Sequence, residues 1–210
     1  MNIAFIGIGN VGFALANNLE KLGHQVLIAH DGGESASVSK AVENNPNLAI
    51  QPVATAIAQS EVVFLATPFK AVESALTDLD LNGKILVDCT NPVGPGMKHG
   101  LNNEQSGSEF IQKLVPDASL VKAFTIYGFE NFINSSYPDY ASLKPAMLIA
   151  GNDQAGKTTV SDLITQLGWE PVDTGGLSQA LHLEHMTLLW IKMARVQGQG
   201  SDFVWGRMTR

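Results

Sequence analysis

Arginine is nearly missing from this sequence. Its three copies, Arg195, Arg207 and Arg210, all lie in the last sixteen residues, so any anion held by the first 194 must rest on lysine, histidine, hydroxyls or backbone N–H groups. The terminal arginines are left for an acceptor pocket or a subunit interface. Cysteine occurs once, as Cys89, which excludes an internal disulfide framework and fits a reducing compartment. Charged residues make up only 16% and the net charge is −7, which argues against partners such as nucleic acid or an anionic membrane surface. A long uninterrupted apolar run is also lacking. The most apolar stretch, Leu177 to Val196, contains His182, Glu184, His185, Lys192 and Arg195 and is too polar to span a bilayer. The first residues have no basic region and reach glycine before a signal-peptide core could form, so the expectation is a cytoplasmic protein.

What is present is a chain of 210 residues, 45% hydrophobic, with 20 glycines and 9 prolines. That fits a compact enzyme-like domain with a small additional lobe. Short β-branched runs alternate with helical patterns, the signature of βαβ units. Strands are expected at Ile3 to Ile6, Gln25 to Ala29, Val62 to Ala66, Ile85 to Asp88, Leu120 to Phe124 and Met147 to Ala150, with a weaker one near Leu48 to Ile50. Helices are expected at Val11 to Leu22, closed by Gly23, at Asp153 to Leu167, and from Leu177 to about Val196. Asn91 to Gly96 reads as a surface loop. The fold class is α/β: a doubly wound, mostly parallel Rossmann-type sheet over residues 1–125, followed at 126–210 by a helix-rich lobe packed as one unit with it. The last helix is apolar on most faces, and a second copy of the chain is the expected cover, giving a homodimer.

Gly7-Ile8-Gly9-Asn10-Val11-Gly12 follows the first strand and opens a helix. Glycine is needed first for the tight turn, second for backbone approach to a pyrophosphate, and third for helix packing. The pyrophosphate would rest on the N–H groups at the helix start. At the end of the second strand stand His30 and Asp31, the latter nineteen positions after Gly12, where a ribose-binding acid belongs. Asp31 there favours NAD over NADP; the other reading turns it to solvent and leaves His30, Ser35, Ser37 or Lys40 to hold a 2′-phosphate. Ala66, Thr67 and Pro68 would lie along the cofactor, with Asn91 and Pro92 near the nicotinamide ring.

Two further patterns compete. Gly151 to Thr158 matches G-x-x-x-x-G-K-[ST] letter for letter, but Asp153 would oppose phosphate, and helix capping by Asn152 or Asp153 is the plainer reading. His182, His185 and His99 lack a clear carboxylate or thiolate partner, so no metal is assigned. Cys89 has no evident base and reads as packing.

With these motifs placed, the chain resembles over its whole length the dinucleotide-binding reductases grouped with the NADP oxidoreductase dependent on the deazaflavin coenzyme F-420. The resemblance is carried by the Gly7 to Gly12 turn, Val87 to Pro92, Val121 to Phe124, Ala150 to Asp153 and the tail from Gly168 to Trp190. Val121 to Phe124 is also similar to the cytosolic reductase domain of six-transmembrane metalloreductases. The resemblance implies NADP as cofactor and hydride transfer to a flat small-molecule redox acceptor, F-420, a flavin or a relative, stacked on the nicotinamide. Such transfer needs alignment rather than a nucleophile. An imine or carbonyl acceptor would need a proton donor, for which Tyr127 and His182 are the candidates. Asp31 and Gly32 stand where that family carries a serine and an arginine for the 2′-phosphate, so these residues point to NAD. The competing functions are a non-catalytic NAD(P)-binding sensor or partner-binding dimer and, on the glycine-lysine motif, a P-loop ATPase.

Overall fold

A computed structural model describes residues 1–140 and 143–210. Its strands are β1 (Asn2–Ile6), β2 (Gln25–Ala29), β3 (Ala49–Gln51), β4 (Val62–Leu65), β5 (Ile85–Asp88), β6 (Val93–Gly94), β7 (Lys98–His99), β8 (Ser119–Lys122), β9 (Ala146–Gly151) and β10 (Glu170–Asp173). The helices are α1 (Asn10–Lys21), α2 (Ala36–Asn44), α3 (Val53–Gln59), α4 (Val72–Leu76), α5 (Gly107–Leu114), α6 (Phe129–Ile133), α7 (Gln154–Gln166) and α8 (Ala180–Ile191), the last running on into a π-helical turn, Lys192–Val196. Eight strands form one sheet in the order β10-β9-β8-β5-β4-β1-β2-β3. The neighbours are parallel except β8 and β9, which pair antiparallel. This is the doubly wound α/β architecture expected, extended by two strands that the second lobe adds to the same sheet.

The central strands are apolar because both faces are covered. Along β1, Ile3 and Phe5 enter one core with α1, α7 and Trp190, while Ala4 and Ile6 enter the other with α3, α4 and α5. Phe5 stacks on Phe64 of β4, ring centroids 4.7 Å apart, which ties the strands on either side of the topological switch point. Helix α1 buries Leu15, Ala16 and Leu19. It stops at Gly23, where φ of 88° lets the Gly23 and His24 N–H groups return to Glu20 O and Leu19 O.

Two expectations need correction, and the competing phosphate-loop motif falls away. Glu170–Asp173 is a strand that the sequence reading lacks; as β10 it lies at the sheet edge, where Pro171 costs no ladder bond. Val93–Gly94, expected as loop, forms a small antiparallel hairpin with Lys98–His99, closed by the Gly100 N–H on Pro92 O. The P-loop reading fails on direction: because β9 is antiparallel to β8, Gly151 to Thr158 comes off at the amino edge of β8, away from the carboxyl ends of the parallel strands. There Asp153 caps α7 through Gly156 N–H at 2.8 Å and accepts from Ser119 Oγ at 2.7 Å, and both bonds hold its carboxyl below the usual range. Lys157 is buried against Asp173 at 2.8 Å instead of being free for phosphate.

Candidate functional site

The glycine turn sits at the carboxyl end of β1, beside the gap between β1 and β4 where the strand order reverses. Gly7 has φ of 93°, and a Cβ there would meet Ala66 and Thr67 Cγ2 at 2.8 Å. A Cβ on Gly12 would run into Gly7 O. Gly9 differs: a Cβ there meets nothing within 4 Å, so it is the glycine the fold does not need. Gly9 is also the N-cap of α1, which has no side-chain cap and no acid in its first turn. Its leading N–H groups thus have no partner from a capping side chain. Beside them opens a cleft of about 270 Å³ lined by Ile8, Gly9, Asn10, Phe13, Ser37, Lys40 and Phe129, among others. Val11 is half-buried at the top of α1 and packs against the core.

At the end of β4, the Ala66 N–H donates to Ile6 O, and the Ala66 backbone underlies Gly7. The Thr67 hydroxyl is shielded from solvent and, like Ser60 Oγ, Glu130 Oε2 and Trp205 Nε1, has no hydrogen-bond partner among the described residues. Pro68 is exposed and starts the 3-10 turn Phe69–Ala71. At the end of β2, the His30 ring bonds only locally, to Gly33 O at 3.3 Å, while its main-chain N–H donates to Gln51 O of β3 at 2.9 Å. Asp31 turns to neither ribose nor bulk water alone: Oδ1 accepts the Val53 N–H at 2.8 Å, at the start of α3. One of its two carboxylate oxygens is thus engaged by the fold, on an exposed residue.

Beyond β5, Pro92 is buried and Asn91 half-buried. Asn91 Oδ1 faces Thr125 Oγ1 at 2.5 Å and Thr187 Oγ1 at 3.0 Å. Thr125 is placed by Phe124, a non-glycine residue at φ of 52°, whose buried ring is held by Phe64 and Phe132.

Beneath this loop lies a feature the sequence reading missed. Asp88 and Lys122 are register partners on β5 and β8, and the Lys122 ammonium, fully buried, contacts Asp88 Oδ2 at 3.0 Å, Glu184 Oε1 at 3.1 Å and Thr90 O at 2.5 Å. Asp88 further accepts from Ser108 Oγ and from the Thr90 N–H and hydroxyl. Glu184, from α8, accepts the Gly107 N–H at the start of α5 and His99 Nε2 at 2.7 Å. His99 Nδ1 faces the N–H groups of Leu101 and Asn103, which puts its proton on Nε2. Burial pushes the Lys122 amine down, but the Asp88 and Glu184 charges outweigh it and leave the ammonium strengthened. The signal was available: a lysine inside Leu120-Val121-Lys122-Ala123-Phe124, on a strand buried on both faces, must have a buried partner.

Of the two candidate proton donors, Tyr127 is committed to the fold. Tyr127 is buried, donates to Ala146 O at 2.7 Å and accepts the Trp205 N–H at 3.0 Å, and burial pushes its phenol well up; it latches the tail to β9. Tyr127→Phe is expected to cost about 1–3 kcal/mol, a fall in melting temperature of roughly 2–12 °C, with dinucleotide titrations unchanged. His182 is exposed on α8. His185 bonds Asn103 Oδ1, His99 is spent on Glu184, and the described residues contain no group of three or more metal-ligating side chains. Cys89 is buried, and burial first, then the Asp88 charge, pushes its thiol well up, which leaves it inert. Arg195 pairs with Glu130, and Arg207 with Glu170 at 2.8 Å, both through exposed arginine side chains. No helix among the described residues is long and apolar enough to cross a membrane.

Comparison with known proteins agrees with this geometry. The family model described as NADP oxidoreductase, coenzyme F420-dependent, matches residues 2–92. A solved structure from Arthrobacter sp. FB24, named as an F420-dependent NADP reductase, superposes with a TM-score of 0.84 at 30% identity, covering 100% of both chains. Metalloreductase STEAP3 of Rattus norvegicus is 30% identical over 192 residues, 89% of this chain but 36% of its own length. Glycerol-3-phosphate dehydrogenase (NAD(P)+) of Ectopseudomonas mendocina is 31% identical over 133 residues, 56% of this chain and 37% of its own. The chain thus spans little more than a third of the length of these curated relatives. With the glycine turn, the β5 loop and the sheet order all in place, the chain belongs to the coenzyme F420-dependent NADP oxidoreductase family.

Proposed function

We propose that this chain binds NADPH and catalyses hydride transfer between it and a flat, conjugated acceptor of the deazaflavin or flavin class. The observation that carries the reading is the uncapped start of α1 behind Gly9, with open space before it and the unpartnered Thr67 hydroxyl alongside. The α1 N–H groups would hold the pyrophosphate without arginine. Lys40 and Ser37, which share the cleft with Gly9 and Asn10, would take the 2′-phosphate. NADP is favoured over NAD by the family description and by Lys40 and Ser37, while Asp31, engaged through one oxygen by α3, is the residue that opposes it. The dinucleotide supplies the hydride, and the protein's part is to align donor and acceptor. With the Tyr127 hydroxyl committed to Ala146 O, a deazaflavin or flavin, which takes the hydride without that donor, is favoured over a carbonyl or imine.

Calorimetric titration with NADPH and NADH, followed by nicotinamide oxidation with F420, flavin, ferric and quinone acceptors, tests this. Tight NADPH binding with turnover on F420 or a flavin is expected. Binding without turnover on any acceptor would leave a nucleotide sensor, and binding of neither dinucleotide would end the reading. Lys40→Glu is expected to weaken NADPH by about tenfold and leave NADH unchanged; equal effects on both would remove Lys40 from the 2′-phosphate.

A further inference from the structure

Asn91 is the side chain best placed to meet the nicotinamide half of a dinucleotide, since β4, β5 and β8 form the second mononucleotide-binding half of the sheet. Its amide is not free to rotate. One amide atom lies 2.5 Å from the Thr125 hydroxyl and 3.0 Å from the Thr187 hydroxyl, and the other lies 3.4 Å from the main-chain carbonyl of Thr125. A carbonyl cannot face a carbonyl, so the atom towards Thr125 O is the nitrogen. Nδ2 thus spends one hydrogen on Thr125 O and keeps the other. The Thr187 hydroxyl has one hydrogen and three acceptors within reach, Asn91 Oδ1, Thr125 O at 2.8 Å and Leu183 O at 3.1 Å; shared between Asn91 Oδ1 and Thr125 O, it ties α8 to both. Thr187 is buried and lies one turn beyond Glu184, which anchors the same helix on Lys122 and Gly107.

We infer that Thr187 is a positioning residue: acting from α8, it fixes the Asn91 amide so that one Nδ2 hydrogen is offered to the carboxamide oxygen of the nicotinamide. Lys122 assists from below by holding Thr90 O, the carbonyl of the preceding residue. The C-terminal lobe thereby controls the redox end of the cofactor while the first half of the sheet controls the adenosine end. The inference rests on the reading that the chain binds a nicotinamide dinucleotide.

Its signature is a split between the two ends. In the full chain, Thr187→Val removes the hydroxyl while keeping the side chain's shape. NADPH, carrying nicotinamide, and 2′-phospho-ADP-ribose, lacking it, are titrated by calorimetry against the unaltered protein, Thr187→Val and Thr187→Ser. Thr187→Val is expected to weaken NADPH by roughly fivefold to tenfold with 2′-phospho-ADP-ribose unchanged, and Thr187→Ser, which restores the hydroxyl, to recover most of the loss. Equal weakening of both ligands, or no change in either, overturns the inference and leaves the cofactor reading standing. Failure of the unaltered protein to bind either ligand overturns both. If Thr187→Val does not fold, Thr187→Ser against Asn91→Asp, with the same pair of ligands, decides it: Asn91→Asp replaces the free N–H by an acceptor and must weaken NADPH alone.

Discussion

Gly9→Val is expected to abolish dinucleotide binding while leaving the fold as it is. The Gly9 backbone has φ of −68°, outside the left-handed region that demands glycine, and a Cβ there touches nothing. The melting temperature should fall by no more than about 2–4 °C, the cost of about 1 kcal/mol for a β-branched residue at a helix N-cap. The β-branched side chain would occupy the space through which a pyrophosphate reaches the α1 N–H groups. Losing two charge-assisted bonds, at about 1.5–3 kcal/mol each, weakens NADPH by at least about a hundredfold. Gly12→Ala inverts the pattern: its Cβ overlaps Gly7 O, so stability falls by about 1–3 kcal/mol through the turn itself. Unaltered NADPH titration in a well-folded Gly9→Val protein would remove the pyrophosphate from this turn.

Lys122→Met is expected to cause the largest loss of stability. Removing the cation leaves Asp88 and Glu184 buried and uncompensated, at a cost of about 3–5 kcal/mol, or roughly 6–20 °C in melting temperature. The pH dependence has a definite sign. The Lys122 pKa is raised above its ordinary 10.5, so its stabilisation is fully present below that value and is lost as pH rises through the folded pKa. The unaltered protein therefore loses this contribution only under strongly alkaline conditions, and the variant has no such loss. At acid pH the variant's deficit narrows, because a carboxyl left without its cation can be neutralised by protonation. Thermal melts at pH 5, 8 and 10 of both proteins measure this; a deficit that widens on acidification would contradict the network as described.

The elements legible in the sequence are those whose signals are local. Gly7 to Gly12 announced a turn because three backbone constraints fall within six residues, and β1, β2, β4 and β5 announced themselves because double burial demands unbroken apolar runs. What was not legible depends on direction or distance. Gly151 to Thr158 has the letters of a phosphate loop, but their meaning is set by strand polarity, which the residues of β9 do not encode. Pro171 hid β10 because edge position, which makes proline tolerable, is a property of the assembled sheet. Lys122 and Glu184 are 62 positions apart, and neither names the other. The placement of Tyr127 followed from the tail residue Trp205, 78 positions on, whose N–H turns the phenol into a latch.

The Lys122 cluster also bears on how the chain is made. At about 5–20 residues per second, Lys122 emerges from the ribosome several seconds before Glu184, and until then one of the two carboxylates that compensate its burial does not exist. Over that interval the ammonium has reason to stay hydrated, and full compensation of its charge waits on the synthesis of α8.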